Sequence, residues 1–169
     1  DLKPLSVVTG DIIAKNAYEW SKATESPLAQ AAVRGAEKIT VRPLLGHSGK
    51  AVKLPKGASL SYDFYCDKSG DARFTIAAIP CFLNAVKDMR VSVSIDRGEP
   101  VICQLKEVYN SKNWQFDLWR GQTLKSFYVT LPGGSHNVTI KALDDNVMID
   151  QWVLDYDVDR EYYVFPVAK

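Results

Sequence analysis

From residue 59 onward, apolar and polar residues alternate with period two. Leu60, Tyr62, Phe64 and Cys66 share one parity, and Val91, Val93 and Ile95 share another. Phe127, Val129 and Leu131 repeat the pattern, and Val138, Ile140 and Ala142 repeat it again, with Asn137, Thr139 and Lys141 on the opposite parity. Such runs predict strands with one face on a core and one in water. Residues 147–156 are apolar on both parities, which predicts a central strand covered from both sides.

Turn chemistry separates the runs. Lys68-Ser69-Gly70-Asp71 stands between 59–66 and 72–79, and Asp96-Arg97-Gly98-Glu99-Pro100 between 90–95 and 101–105. Pro132-Gly133-Gly134 joins 123–131 to 135–143. Read locally, each is a hairpin. Two stretches leave the β pattern. Residues 25–37 are Ala-rich and predict a helical turn, weakened by Pro27 and Gly35. Residues 111–121 open on the capping residue Ser111 and close on Gly121, which predicts a short helix. The fold class is therefore all-β, an antiparallel β-sandwich of jelly-roll type with one or two short helical turns. Neither a repeat nor a linker interrupts the pattern, so residues 1–169 read as a single β-sandwich domain.

Composition narrows the function classes. A chain of 169 residues and 18.9 kDa fits one domain and buries enough surface to need no staples. With 21 basic and 20 acidic side chains, the net charge of +1 provides no field for nucleic acid or an anionic membrane. The chain starts at Asp1 with neither a signal peptide nor a transmembrane run, as expected of a processed protein or a piece of a longer one. Cys66, Cys81 and Cys103 cannot all pair within one molecule, and without a CxxC they do not suggest a zinc site. Buried free thiols are expected. Seven acids within 144–161 face one base, Arg160, either as a solvated loop or as a cation or partner site.

Catalytic signals are poor. Gly46-His47-Ser48-Gly49-Lys50 has neither phosphate-loop nor nucleophile-elbow spacing and reads as a glycine-shaped loop. The two histidines, His47 and His136, lie far apart in sequence, and an edge hydrogen bond is the expected role of His136. Asn137-Val138-Thr139 is a glycosylation sequon on solvent parity. Aromatics are more informative. Trp20, Trp114 and Trp119 fall in connections, where an indole either stacks on a sugar ring or plugs the end of the core. Asn113, Asp117 and Arg120 stand beside Trp114 and Trp119 as polar groups for hydroxyls or a uronate carboxylate.

Several segments, in order, resemble the C-terminal β-sandwich domain of glycoside hydrolase family 115, the xylan α-1,2-glucuronidases. They are LLGHSGKAV at 44–52, LSYDF at 60–64, IAAIPCFLN at 76–84, MRVSVSIDRGEP at 89–100, SHNVTIKALDDNVMIDQWVLD at 135–155 and EYYVFP at 161–166. The resemblance implies a non-catalytic accessory domain of a secreted or periplasmic bacterial enzyme, with no catalytic residues and no cofactor of its own. It also implies packing on the parent's catalytic domains or on the partner subunit of a homodimer, and contact with xylan or glucuronoxylan. The runner-up is a free-standing carbohydrate-binding module with Trp114, Trp119, Arg120 and Asn113 as its site. The fold resembles carbohydrate-binding modules of families 6 and 35, which hold a calcium between first-strand acids and a last-strand Asp. Asp150 matches that last acid, but Ile13-Ala14-Lys15 puts a lysine where the first strand needs an acid, so no metal is expected.

Overall fold

Trp152 sits fully buried at the centre of the molecule, stacked on Phe74 and edge-on to Tyr62 and Phe64 at centroid distances of 5.2, 5.6 and 5.5 Å. Burying one such ring contributes on the order of 5 kcal/mol of transfer free energy. The computed structural model describes residues 11–25, 38–81, 87–108, 111–162 and 165. Eleven strands build the described part: β1 (Ile12–Asn16), β2 (Lys22–Thr24), β3 (Thr40–Pro43), β4 (Lys50–Leu54), β5 (Ser59–Cys66) and β6 (Gly70–Ala78), then β7 (Arg90–Ile95), β8 (Val101–Gln104), β9 (Thr123–Leu131), β10 (Gly134–Ala142) and β11 (Val147–Asp155). One helix, α1 (Lys112–Arg120), joins β8 to β9. The predicted helical turn within 25–37 falls, beyond Glu25, outside the described residues.

All pairings are antiparallel. Sheet A runs β3-β4-β11-β6-β9, with β1 also paired to β11; sheet B runs β2-β5-β10-β7-β8. Their inner faces meet in one core that includes Val52, Leu60, Ile76, Val93, Ile140 and Leu154. The fold class is an all-β antiparallel sandwich, as the alternation predicts.

The turns divide differently. β7–β8 is a true hairpin: Asp96 and Arg97 both have positive φ (52° and 59°), and Gly98 N–H donates to Ile95 C=O at 2.9 Å, as a type I′ turn requires. The segments at 68–71 and 132–134 are not hairpins. β5 and β10 lie in sheet B, whereas β6 and β9 lie in sheet A, so both segments cross between the sheets. They run side by side, with Gly133 N–H donating to Ser69 Oγ at 2.7 Å. Turn residues specify a reversal of the chain but not the strand it rejoins. Burial decides that.

Strand β11 is covered on both faces for two reasons. A bulge between Ile149 and Gln151 shifts its register, so Val147 and Ile149 face the core before it and Trp152 and Leu154 after it. On the outer side, Val153 packs with Ile12, Ala77 and Phe165 in a second small core, flanked by Tyr162. Asp155, fully buried there, accepts from Tyr162 Oη (2.6 Å) and the Asp157 amide (2.9 Å) and forms an ion pair with Arg160, whose Nε lies 2.9 Å away.

Candidate functional site

Three regions outside the main core concentrate polar chemistry. The first is α1. Ser111 caps it, its hydroxyl accepting from the Trp114 amide at 3.2 Å, and Gly121 closes it with φ 72°. The expected sugar-site residues therefore share one helix. At 3.6 residues per turn, positions 113 and 120 fall on one face, while 114 and 119 lie about 140° apart. Asn113 is exposed and Trp114 half-buried; the side chains of Trp119 and Arg120 lie outside the described residues. Asp117 faces inward, accepting from Thr123 Oγ1 at 2.7 Å. Trp20, the third connection tryptophan, packs against the main core.

The second region lies beside the helix's C-terminus, where the Gly46–Lys50 motif finds its role. The bulge in β11 aims Asp150, fully buried, at the β3–β4 loop. Its carboxylate accepts from the His47 amide (2.8 Å), the Ser48 amide and hydroxyl (3.1 and 2.5 Å) and Gln122 Nε2 (2.7 Å). Several N–H and O–H donors converging on a buried carboxylate replace the water it loses. Gly46 has φ 73°, and a Cβ there would stand 2.4 Å from Asp150 Cγ, so only glycine lets the loop close over the acid. The position matched to a calcium ligand thus holds a loop through backbone donors. Lys15 stands across from Trp152 on β1. Among the described residues, no group of three or more His, Cys, Asp or Glu gathers as metal ligands.

The other acids of the 144–161 run disperse. Asp144 forms a two-point pair with Arg90 (2.9 and 3.1 Å), which holds its carboxyl below the usual range. Asp145, Asp157, Asp159 and Glu161 are exposed. The three thiols are free, with Cys66 and Cys103 buried and their pKa values pushed up mainly by burial.

The third region is the outer face of sheet B, which alternation marks only as the wet side. Ser61, Asp63 and Tyr65 of β5 stand opposite Thr139, Asn137 and Ser135 of β10. Ser61 and Thr139 hydroxyls meet at 2.9 Å, and Asn137 Nδ2 donates to Asp63 Oδ1 at 3.0 Å and to the Tyr62 carbonyl at 3.2 Å. The sequon amide is therefore engaged in the sheet. Asp96, at the hairpin, accepts from the Asn137 amide at 2.8 Å and contacts His136 Nδ1 at 2.5 Å. His136 is not at an edge. It lies on β10, between β5 and β7, points inward, and its Nε2 meets the Pro132 carbonyl at 2.7 Å. Burial lowers the pKa of His136, but Asp96 and the Pro132 carbonyl outweigh it and hold the imidazole above its usual value. Burial likewise opposes ionisation of Asp96, and its bonds to His136 and the Asn137 amide bring its pKa below normal.

Known proteins give this fold a setting. The Glycosyl hydrolase family 115 C-terminal domain matches residues 11–168. A family GH115 4-O-methyl-α-glucuronidase with specificity for decorated arabinogalactans superposes with TM-score 0.71 at 26% identity, over 84% of this chain and 17% of that one. The chain thus spans about a sixth of that enzyme's length. The C-terminal family 6 carbohydrate-binding module of a Zobellia galactanivorans laminarinase has TM-score 0.55 at 16% identity, covering 85% of this chain and 98% of that one. A family 35 module from Clostridium thermocellum reaches 0.58 at 14%, over the same shares of each chain. No curated protein sequence matches the chain. The sandwich, the order of its motifs and the family match agree, and the chain belongs to glycoside hydrolase family 115 as its C-terminal domain, not itself the catalytic unit.

Proposed function

We propose that the chain is the accessory C-terminal domain of a secreted or periplasmic bacterial xylan α-glucuronidase. It packs on the catalytic domains of its own chain or on the partner subunit of a homodimer, close to the polysaccharide. The observation that carries the docking role is the tip of the β3–β4 loop. Leu44 is 94% exposed with φ 61°, and Val41 and Leu45 beside it are also exposed. A leucine in left-handed backbone, bare to water, gains nothing within this domain. Yet the loop that carries it is pinned from beneath by buried Asp150, so the apolar tip is presented in a fixed position. Helix α1 ends alongside, the Cβ direction of Gly121 pointing at His47 Nε2 from 4.0 Å. In this reading the exposed Asn113 and half-buried Trp114 of α1 extend the docking surface.

The test is binding of the chain to the separately purified catalytic domains of its parent. Leu44→Asp is expected to weaken the complex at least about tenfold, or about 1.4 kcal/mol, without lowering the domain's own stability. Unchanged affinity would remove the loop from the interface. Alone, the chain is expected to release no glucuronic acid from glucuronoxylan.

A further inference from the structure

Sheet B turns a broad polar face away from the core, and two adjoining hollows of about 670 and 720 Å³ open on it. They share Asp63, Asp96 and Asn137. The second hollow includes Tyr65, which is 63% exposed and lies on the same face of β5 as Asp63, two residues away. The combination of a bare aromatic ring with side chains fixed by one another is what matters here.

The chemistry of the face excludes most ligands. Asp63 and Asp96 are offset there by Lys15, Lys22 and Arg97, so the lining carries no strong field of one sign to select a highly charged ligand. Sheet B pairs laterally through β2 and β8, so a peptide adding a strand would use those edges and not this face. A lining of hydroxyls, an amide and charges of both signs suits a neutral molecule rich in hydroxyls. A carboxylate offers about four acceptor sites. Asn137 takes Oδ1 of Asp63, leaving Oδ2 to accept from a hydroxyl. The paired hydroxyls of Ser61 and Thr139 can each donate or accept. Because these groups are already held in place, little ordering cost falls on binding. From Ser61 to Tyr65 the strand covers roughly 13 Å, longer than one sugar ring.

We propose that the outer face of sheet B is a glycan-binding face, which seats a neutral stretch of oligosaccharide with Tyr65 as the stacking platform and Asp63, Asn137, Ser61 and Thr139 as hydroxyl partners. The proposal rests on the carbohydrate-related reading of the domain, and centres the contact on sheet B, with Lys15 of β1 in sheet A at the rim of the second hollow. The complex is weak, with a dissociation constant on the order of 0.1–1 mM, because the face is shallow and wet.

Amide chemical-shift mapping of the chain with xylohexaose, cellohexaose and β-1,3-galactotriose, each up to about 10 mM, tests it. At least one sugar is expected to shift the amides of residues 61–65 and 135–139. Tyr65→Ala, a surface change that leaves the fold intact, is expected to weaken that sugar about tenfold, and Trp114→Ala to leave it unchanged. Shifts confined to α1 and lost in Trp114→Ala would overturn this face while keeping a carbohydrate role for the domain. No shift with any of the three sugars would also overturn it, and the docking reading stands or falls separately on Leu44→Asp.

Discussion

The outer faces of the two sheets are made of the same kind of alternating strand and end in opposite environments. Sheet A is covered at its centre: Tyr162 and Phe165 pack against Val153, Ala77 and Ile12, and Asp155, buried there, is paired with Arg160. Sheet B is open, and its acids Asp63 and Asp96 are held by an amide, a backbone N–H and a histidine, with no apolar cover among the described residues. The difference teaches where the molecule spends its stability. A sealed face contributes hydrophobic burial; an open face contributes little to folding and is free to bind.

The sharpest way to break this contrast is to unseal sheet A. Phe165→Ala removes a ring that is 1% exposed and is expected to cost about 3 kcal/mol. Urea unfolding measures it, and a loss below about 1 kcal/mol would mean that the C-terminal segment does not seal the face.

A smaller effect lies at the boundary of sheet B. His136 has its folded pKa raised, so its stabilisation is fully present below the unfolded value near 6.5 and is lost as pH rises through the folded value. Asp96 has its pKa lowered, so its share is present above about 3.9 and is lost as pH falls through the folded value. The groups around the imidazole are Asp96, with Lys15 and Asp63 lining the same hollow. Stability is therefore expected to be greatest between about pH 4 and 6.5 and to decline in the alkaline direction. Denaturation midpoints across that range, compared with His136→Gln, measure this; an equal alkaline decline in the variant would assign it elsewhere.

The smallest effects are expected on the open face itself. Ser61→Ala and Thr139→Val each remove a half-exposed hydroxyl and are expected to change stability by less than about 0.5 kcal/mol. A loss above about 1.5 kcal/mol in either, by the same urea unfolding, would show that this face supports the fold and would erase the contrast with sheet A.

Much of the architecture was legible from the chain. Period-two alternation located β5, β7, β9 and β10, because an inward face and a wet face demand different residues at adjacent positions. Ser111 and Gly121 marked the ends of α1, since caps are local chemistry. The two apolar parities of β11 announced a strand covered on both sides, although they did not disclose the bulge at Asp150. The outer face of sheet B appeared only as solvent parity. A stronger signal was available in the spacing of Ser61, Asp63 and Tyr65 against Ser135, Asn137 and Thr139, but its meaning depends on which strands are neighbours.

Tertiary structure alone decided that neighbour relation. The segments at 68–71 and 132–134 carry turn residues as strong as those at 96–100, yet only the last makes a hairpin, because the others deliver their strands to the opposite sheet. Asp150 and Gly46 lie more than a hundred residues apart, and nothing in either local pattern shows that the acid serves the glycine loop. His136, at the head of its run, looked like an edge residue until β5 and β7 closed on both sides of β10. The sequence by itself determined which residues must avoid water and where the chain must turn, since both are properties of neighbours along the backbone. Sheet membership, the buried partners of the acids and the choice of open face are properties of neighbours in space, settled when the two apolar faces found each other.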